Sequence, residues 1–260
     1  MTDPHGQQEH AVRLEWGPTG GTAVAAGADV AVVVDVLSFT TTLTVAVERG
    51  MAVHPFAWKD ERASEHAAEL GAVLAIGRFE EPAAGLPAVS LSAAAMSRVE
   101  GVDRIVLPSP NGSAICAALA GSALAGPAVT VVGACLRNRT AVARWLAPRV
   151  ADGAVVAVVP AGERWPDGSM RPGAEDLWGA GAVVDAMVRL GATGLSLEAT
   201  HARDAFRAAR ATLRDGLLAC ASGKELVAAG FAEDVEVAAG LDVSDVVPAL
   251  GEDGAFRAAR

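Results

Sequence analysis

Residues 28–36 read "ADVAVVVDV" and run directly into "LSFTTTLTVAV" at 37–47. The first stretch is a nearly unbroken apolar, β-branched run, as expected of a strand covered on both faces. It stops at one acid, Asp35. Hydroxyls follow at Ser38, Thr40, Thr41 and Thr42 while apolar residues resume at helical spacing. A buried strand handing over to a helix is half of a βα unit, and the chain repeats the pattern. "MAVHPF", "AVLAIG", "DRIVLP", "AVTVVGA" and "GAVVAVVPAG" read as strands. "WKDERASEHAAELG", "NGSAICAALAG", "RNRTAVARWLAP" and "AEDLWGAGAVVDAMVRLG" read as the helices that alternate with them. Residues 201–230 are helical with interruptions, and "SDVVPAL" supplies a last strand. Such alternation predicts an α/β fold, a mainly parallel or mixed sheet with helices on both faces. "VRLEWG" near the start reads as an extra edge strand. The expected organisation is a tail and edge strand over 1–27 and one α/β domain over 28–260.

Bulk properties narrow the function. The 260 residues can bury a substantial core, and the net charge of −10 excludes a general nucleic-acid or membrane-surface binder, which needs a basic face. The polar first residues lack a signal-peptide core, and no long uncharged apolar run follows, so a cytoplasmic protein is expected. Cys116, Cys135 and Cys220 have neither disulfide-framework nor zinc spacing. The five histidines form no HxH or HExxH arrangement, which argues against a histidine metal cage.

In open α/β sheets, ligands bind beyond the carboxyl ends of the strands, where helix N-termini offer unpaired N–H groups. After the first strand stand Asp35, Ser38, Thr40, Thr41 and Thr42. After "RIVLP" come Ser109, Asn111, Gly112 and Ser113. After "VTVVG" come Cys135, Arg137, Asn138, Arg139 and Thr140. After "VVAVVP" come Glu163, Arg164, Asp167, Arg171, Glu175 and Asp176. Hydroxyls, amides, arginines and acids thus gather at one expected edge, the pattern of an anion site with acids enough for a metal. Each element also has a structural reading. Asp35 and the threonines are ordinary caps. "PNGS" is a common turn, and Glu175–Asp176 suits a helix macrodipole. Cys135, with no histidine near it in sequence, reads as a small buried residue. "GAGAVV" from Gly179 lies inside a helical pattern and is no dinucleotide fingerprint. The loop "ERWPDGSMRPG", however, is too long and too charged for an ordinary strand-to-helix connection, and reads as functional.

Taken in order, "VVVDVLSFTTT", "PSPNGS", "GACLRNRTAVA", "PAGERWPDGSMRPGAEDLWGAG" and "GKELVAAGFAEDVEVAAGLDVSDVVPAL" resemble the ComB-like 2-phosphosulfolactate phosphatase family, from about Ala28 nearly to the C-terminus. The resemblance implies a three-layer α/β/α fold and a magnesium-dependent hydrolase that releases phosphate from a phosphorylated sulfonated lactate. The acid of the family's "DVLRATTT" falls on Asp35 and its threonines on Thr40, Thr41 and Thr42. "TNG" falls on Asn111 and Gly112, with Ser113 for the next threonine. The asparagine of "GSFLNA" falls on Asn138, and the acidic pair of "SLED" on Glu175 and Asp176. Two positions depart. The arginine of "DVLRATTT" is Ser38 here, and the glutamate of "GGER" is Gly77, with Arg78 kept.

Phosphoryl transfer to water needs a positioned nucleophile and neutralised phosphoryl charge. On this reading Asp35, Glu175 and Asp176 hold Mg²⁺ and act on the attacking water. Ser38, the three threonines, Asn111, Gly112, Ser113 and Asn138 line a small anionic phosphorylated substrate, and Arg139, Arg164 and Arg171 supply positive charge. An aspartyl-phosphate on Asp35 is disfavoured, because Leu37 occupies the second position of the DxD pattern usual for that chemistry. The rival readings are a hydrolase of the same scaffold acting on another phosphorylated acid, and a ligand-binding relative without catalysis. Trp145, Trp178 and Phe231 suit either the core or the interface of a homodimer.

Overall fold

The computed structural model describes residues 4–57, 61–78, 80, 89–121 and 129–259. Its strands are β1 (Val12–Leu14), β2 (Val30–Val34), β3 (Ala52–Phe56), β4 (Val73–Leu74), β5 (Arg104–Pro108), β6 (Thr130–Ala134), β7 (Val156–Pro160), β8 (Glu163–Arg164), β9 (Met170–Arg171), β10 (Pro248–Leu250) and β11 (Phe256–Ala258). Its α-helices are α1 (Gly17–Ala25), α2 (Phe39–Glu48), α3 (Glu61–Glu69), α4 (Ala93–Met96), α5 (Gly112–Gly121), α6 (Arg139–Ala151), α7 (Ala174–Arg189), α8 (Leu197–Ala209), α9 (Leu213–Ala219), α10 (Ala221–Ala228) and α11 (Ala232–Ala239). The fold is a three-layer α/β/α arrangement around a large, mostly parallel sheet.

The apolar run behaves as its composition dictates. All five β2 residues are buried, and the pleat sends them alternately to two cores. Val30, Val32 and Val34 join a cluster with residues of α6, α7 and α8, while Ala31 and Val33 join one with residues of α1, α2 and α5. On the first side, α7 and α8 pack very closely. A Cβ at Gly181 would lie 1.9 Å from the Ala202 carbonyl oxygen, which is why a glycine stands in the helical "GAGAVV". Trp145 and Trp178 pack against this core.

The nine-stranded sheet has the order β1-β7-β2-β6-β10-β11-β3-β5-β4. Strands β1, β7, β2 and β6 form one parallel group, and β3, β5 and β4 another. Between them, β10 and β11 pair antiparallel with each other and with both groups. A flat sheet would hold β2 and β5 about 24 Å apart, at roughly 4.8 Å per strand. Yet the residues just beyond them touch, since Gly112 N–H donates to Asp35 Oδ2 at 3.0 Å. The turns that follow β2 and β5 therefore converge on one place, although four strands lie between the two in the sheet.

Several elements differ from the sequence expectation. The glycine-rich stretch at 17–25 is helical. It starts with proline in its first turn and is tied into the core through buried Val24 and Ala25. The long loop after β7 is pinched into the β8–β9 hairpin, with Glu163 opposite Arg171. Helix α6 continues through Pro148 to Ala151. Helix α11 and strand β11 form in segments for which the sequence reading gives no element. The segment 78–92, "RFEEPAAGLPAVSLS", reads as a loop from its proline, glycine and serine content, and most of it lies outside the described residues. No helix among the described residues is long and apolar enough to cross a membrane.

Candidate active site

Asp35 stands one residue beyond β2, and the local backbone explains why it stays there. Thr40 fastens the turn, accepting from Asp35 N–H (2.9 Å) and donating to Asp35 C=O (2.7 Å). The Asp35 carboxylate then receives two main-chain donors at the starts of two helices, Phe39 N–H on Oδ1 (3.0 Å) and Gly112 N–H on Oδ2 (3.0 Å). Gly112 has no alternative here, because a Cβ would sit 2.3 Å from the Phe39 ring and 2.8 Å from Asp35 Oδ2. Burial raises the Asp35 carboxyl to about 6, against the lowering effect of the two N–H donors and with a further push from the Glu175 charge.

Asp35 borders a cleft of about 160 Å³. Its other polar lining residues are Ser38, Thr42, Arg78, Ser109, Asn111 and Glu163, and its apolar ones include Phe39, Leu91 and Leu107. Glu163 comes from the β8–β9 hairpin. Its Oε2 accepts from Asn111 Nδ2 at 2.8 Å. Burial, followed by the Asp35 charge, pushes its carboxyl up to about 7. A second cavity of about 240 Å³ shares Asn111 and Glu163 with the first and adds Trp16, Arg164 and Met170.

The expected site residues divide between this cleft and the scaffold beneath it. Asp35, Ser38, Thr42 and Asn111 line the cleft, and Gly112 touches Asp35 from below. Thr42 spends its hydroxyl proton on the Leu91 carbonyl (2.9 Å). Arg164 borders the second cavity and donates to the Gly168 and Pro110 carbonyls. Arg171 donates to Ser222 Oγ (3.3 Å) and lies over the Trp165 ring. Thr41 donates to Val36 C=O and Ser113 to Leu107 C=O. Asn138 accepts from Cys135 N–H and donates to the Gly133 and Val246 carbonyls. Arg139 is buried against Asp242, Asp185 and the Phe206 ring. Thr40, Thr41, Ser113, Asn138 and Arg139 are thus buried with their polar atoms engaged in the scaffold, and they lie outside the cleft lining.

Glu175 and Asp176, in the first turn of α7, are buried beside the cleft and do not line it. Asp176 clasps two turns, accepting from Val36 N–H (2.7 Å) and Gly162 N–H (2.8 Å). Burial, with the nearby Asp35 and Glu175 charges, raises its carboxyl well above the ordinary value. Glu175 accepts from Ser222 Oγ at 2.5 Å, and its other oxygen, Oε2, is buried with no partner. Asp35, Glu163, Glu175 and Asp176 therefore form a mutually repelling acid cluster.

Glu163 and Arg78 were visible in the sequence only as one charge of a long loop and one residue of a family motif. Asp234 lies within the last family-like segment with nothing to single it out there, yet its carboxylate accepts from Arg78 Nε at 2.7 Å.

In an α/β/α fold an acid-lined cleft beyond the carboxyl ends of the strands stands where such sheets bind ligands. A family model described as 2-phosphosulpholactate phosphatase matches residues 22–253 of the 260, and the chain belongs to that family. The family is one of phosphatases, hydrolases of phosphoric monoesters. No curated protein matches the chain.

Proposed function

We propose that the protein is a magnesium-dependent phosphatase acting on a small phosphorylated acid, with 2-phosphosulpholactate, giving sulpholactate and phosphate, as the substrate the family points to. The observation that carries this reading is Asp35, anchored by two helix-start N–H groups beside Glu163 in a cleft sized for a small molecule.

The donor chemistry fits a hard cation. Four acids crowd together, raising the carboxyls of Asp35, Glu163 and Asp176, and Glu175 Oε2 is left without a partner. Among the described residues no three acidic, histidine or cysteine side chains converge as a ready-made metal cage. Mg²⁺ does not require one, since it is commonly held by one or two carboxylates, water and substrate phosphate. Asp35, which faces the cleft, is the residue that would hold it, without the Glu175 and Asp176 expected beside it from sequence. When bound, Mg²⁺ supplies Lewis-acid neutralisation of phosphoryl charge.

The chain's own groups do the rest. Asn111 fixes Glu163 through Oε2, and Oε1 has no hydrogen bond among the described residues. A carboxyl near 7 is matched to proton transfer at neutral pH. Glu163 takes a proton from the attacking water as the new O–P bond forms. The departing alkoxide leaves from the opposite side of phosphorus and takes a proton from solvent water as the ester O–P bond breaks, while Glu163 gives its proton back to solvent, so the products are an alcohol and inorganic phosphate. Asp35 orients rather than attacks, because both of its oxygens are tied to main-chain N–H groups.

The test is a panel of phosphate monoesters assayed with Mg²⁺ and with EDTA. Metal-dependent phosphate release is the expected result. Ligand-induced thermal stabilisation without turnover would instead make the protein a binder that has kept the scaffold.

A further inference from the structure

Among the residues that line the cleft, the one cationic side chain is Arg78. Its Nε donates to Asp234 Oδ2 at 2.7 Å and its Nη2 to Ser38 Oγ. The guanidinium also lies over the Phe231 ring, 5.7 Å from the centroid, within cation–π range. Two of its five N–H donors are engaged in this way, and three have no hydrogen bond among the described residues.

Asp234 holds Arg78 and the start of α4 at once. Its side chain is fully buried, and besides Arg78 it accepts from Ser92 Oγ (2.5 Å) and Ala94 N–H (3.0 Å) at the start of α4. Phe231 caps α11 and Asp234 stands in its first turn, so one helix end provides both the ring under the guanidinium and the carboxylate behind it. No hydrogen bond joins this group to the Asn111–Glu163 pair among the described residues. The cleft therefore has an acid end, where phosphoryl chemistry is proposed, and a cationic end built by other segments.

We propose that Asp234 is a positioning residue that aims Arg78 at the non-reacting acid group of the substrate, a carboxylate or sulfonate next to the phosphorylated carbon. This rests on the phosphatase reading of the same cleft. A planar guanidinium fork held at one edge by a carboxylate presents its free donors to a second oxyanion with little ordering entropy left to lose. Pairing with Asp234 also offsets the positive charge, which suits a singly charged acid better than a dianionic phosphate.

The experiment compares the full chain with Arg78→Met, Arg78→Lys and Asp234→Asn. Substrates are 2-phospholactate and phosphoglycolate, which carry an acid, and ethyl phosphate, which does not. In both Arg78→Met and Asp234→Asn, the ratio of kcat/KM for acid-bearing over neutral ester should fall at least about tenfold, mainly through KM. Arg78→Lys, which keeps the charge and loses the fork, should fall between. A merely structural Asp234 would lower turnover of all esters together and leave the ratio alone, which would overturn the proposal. Binding of lactate and of sulfoacetate by calorimetry in EDTA separates this failure from that of the phosphatase reading. Should no ester turn over, acid binding that is lost in Arg78→Met still supports the role of Arg78. Equal binding by both proteins, or none by either, refutes it. The lactate and sulfoacetate arms tell carboxylate from sulfonate preference. If Asp234→Asn fails to fold, the Met and Lys variants of Arg78 decide.

Discussion

Asp35→Asn sets two opposing magnitudes against each other. The carboxylate accepts one main-chain N–H on each oxygen, both at 3.0 Å. An amide of the same shape has one acceptor oxygen, so one buried N–H loses its partner and faces an NH₂ group. That costs about 1–3 kcal/mol. Against it, burial raises the acid from 3.8 to about 6, a penalty on the ionised form of about 3 kcal/mol that the amide escapes. At neutral pH the two nearly cancel. The variant should melt within about 6 °C of the wild type, at roughly 2–4 °C per kcal/mol for a chain of this size. The pH dependence carries the sign. An acid whose folded-state value is raised contributes stability that is fully present below about 4 and is lost as pH rises through about 6. Wild-type stability should thus decline from pH 4 to pH 7 relative to the variant, and the deficit of Asp35→Asn should be largest at the acid end. Urea unfolding at several pH values in EDTA measures this, and phosphate release with Mg²⁺ measures activity, expected to fall at least about a thousandfold. Parallel stability curves from pH 4 to 7 would refute the assignment of a buried, raised carboxyl. Near-normal specific activity in the folded variant would refute the catalytic role.

Two further substitutions probe the frame around Asp35. Asp176→Ala strips the acceptors from Val36 N–H and Gly162 N–H, about 1–3 kcal/mol each, partly offset by removing a charge that burial disfavours. Urea unfolding should show a net loss of stability while Mg²⁺ affinity by calorimetry is retained; lost affinity with unchanged stability would make Asp176 a ligand. Gly112→Ala drives a Cβ into the Phe39 ring and Asp35 Oδ2. It should cost about 1–3 kcal/mol in thermal unfolding and lower phosphate release by displacing the Asp35 carboxylate.

The sheet was legible wherever burial on both faces forces a continuous apolar run, as in β2, β5, β6 and β7. It was not legible where tertiary contacts decide. Helix α1 is too rich in glycine to be read from propensity, and β11 is three residues long. The site shows a similar division. An acid ending a buried strand announces Asp35, and a turn before a helix announces Asn111. Whether a hydroxyl faces a ligand or the backbone is invisible in sequence. The run Thr40–Thr42 looks like a cradle, but each hydroxyl bonds a main-chain carbonyl. Arg78 and Asp234 are 156 residues apart, and only the tertiary fold brings them together.

The β10–β11 seam has a consequence for how the protein is made. Strands β6 and β3 keep bare, valine-bearing edges until residues 248–258 fill the gap between them. Exposed edges of this kind template pairing between chains. From Pro160, where the last long strand ends, to Pro248, where the seam begins, synthesis takes roughly 4–18 s at the usual 5–20 residues per second. Throughout that interval the facing edges of β6 and β3 lack their partner strands, so the join that assembles the cleft is also a stage of biosynthesis exposed to aggregation.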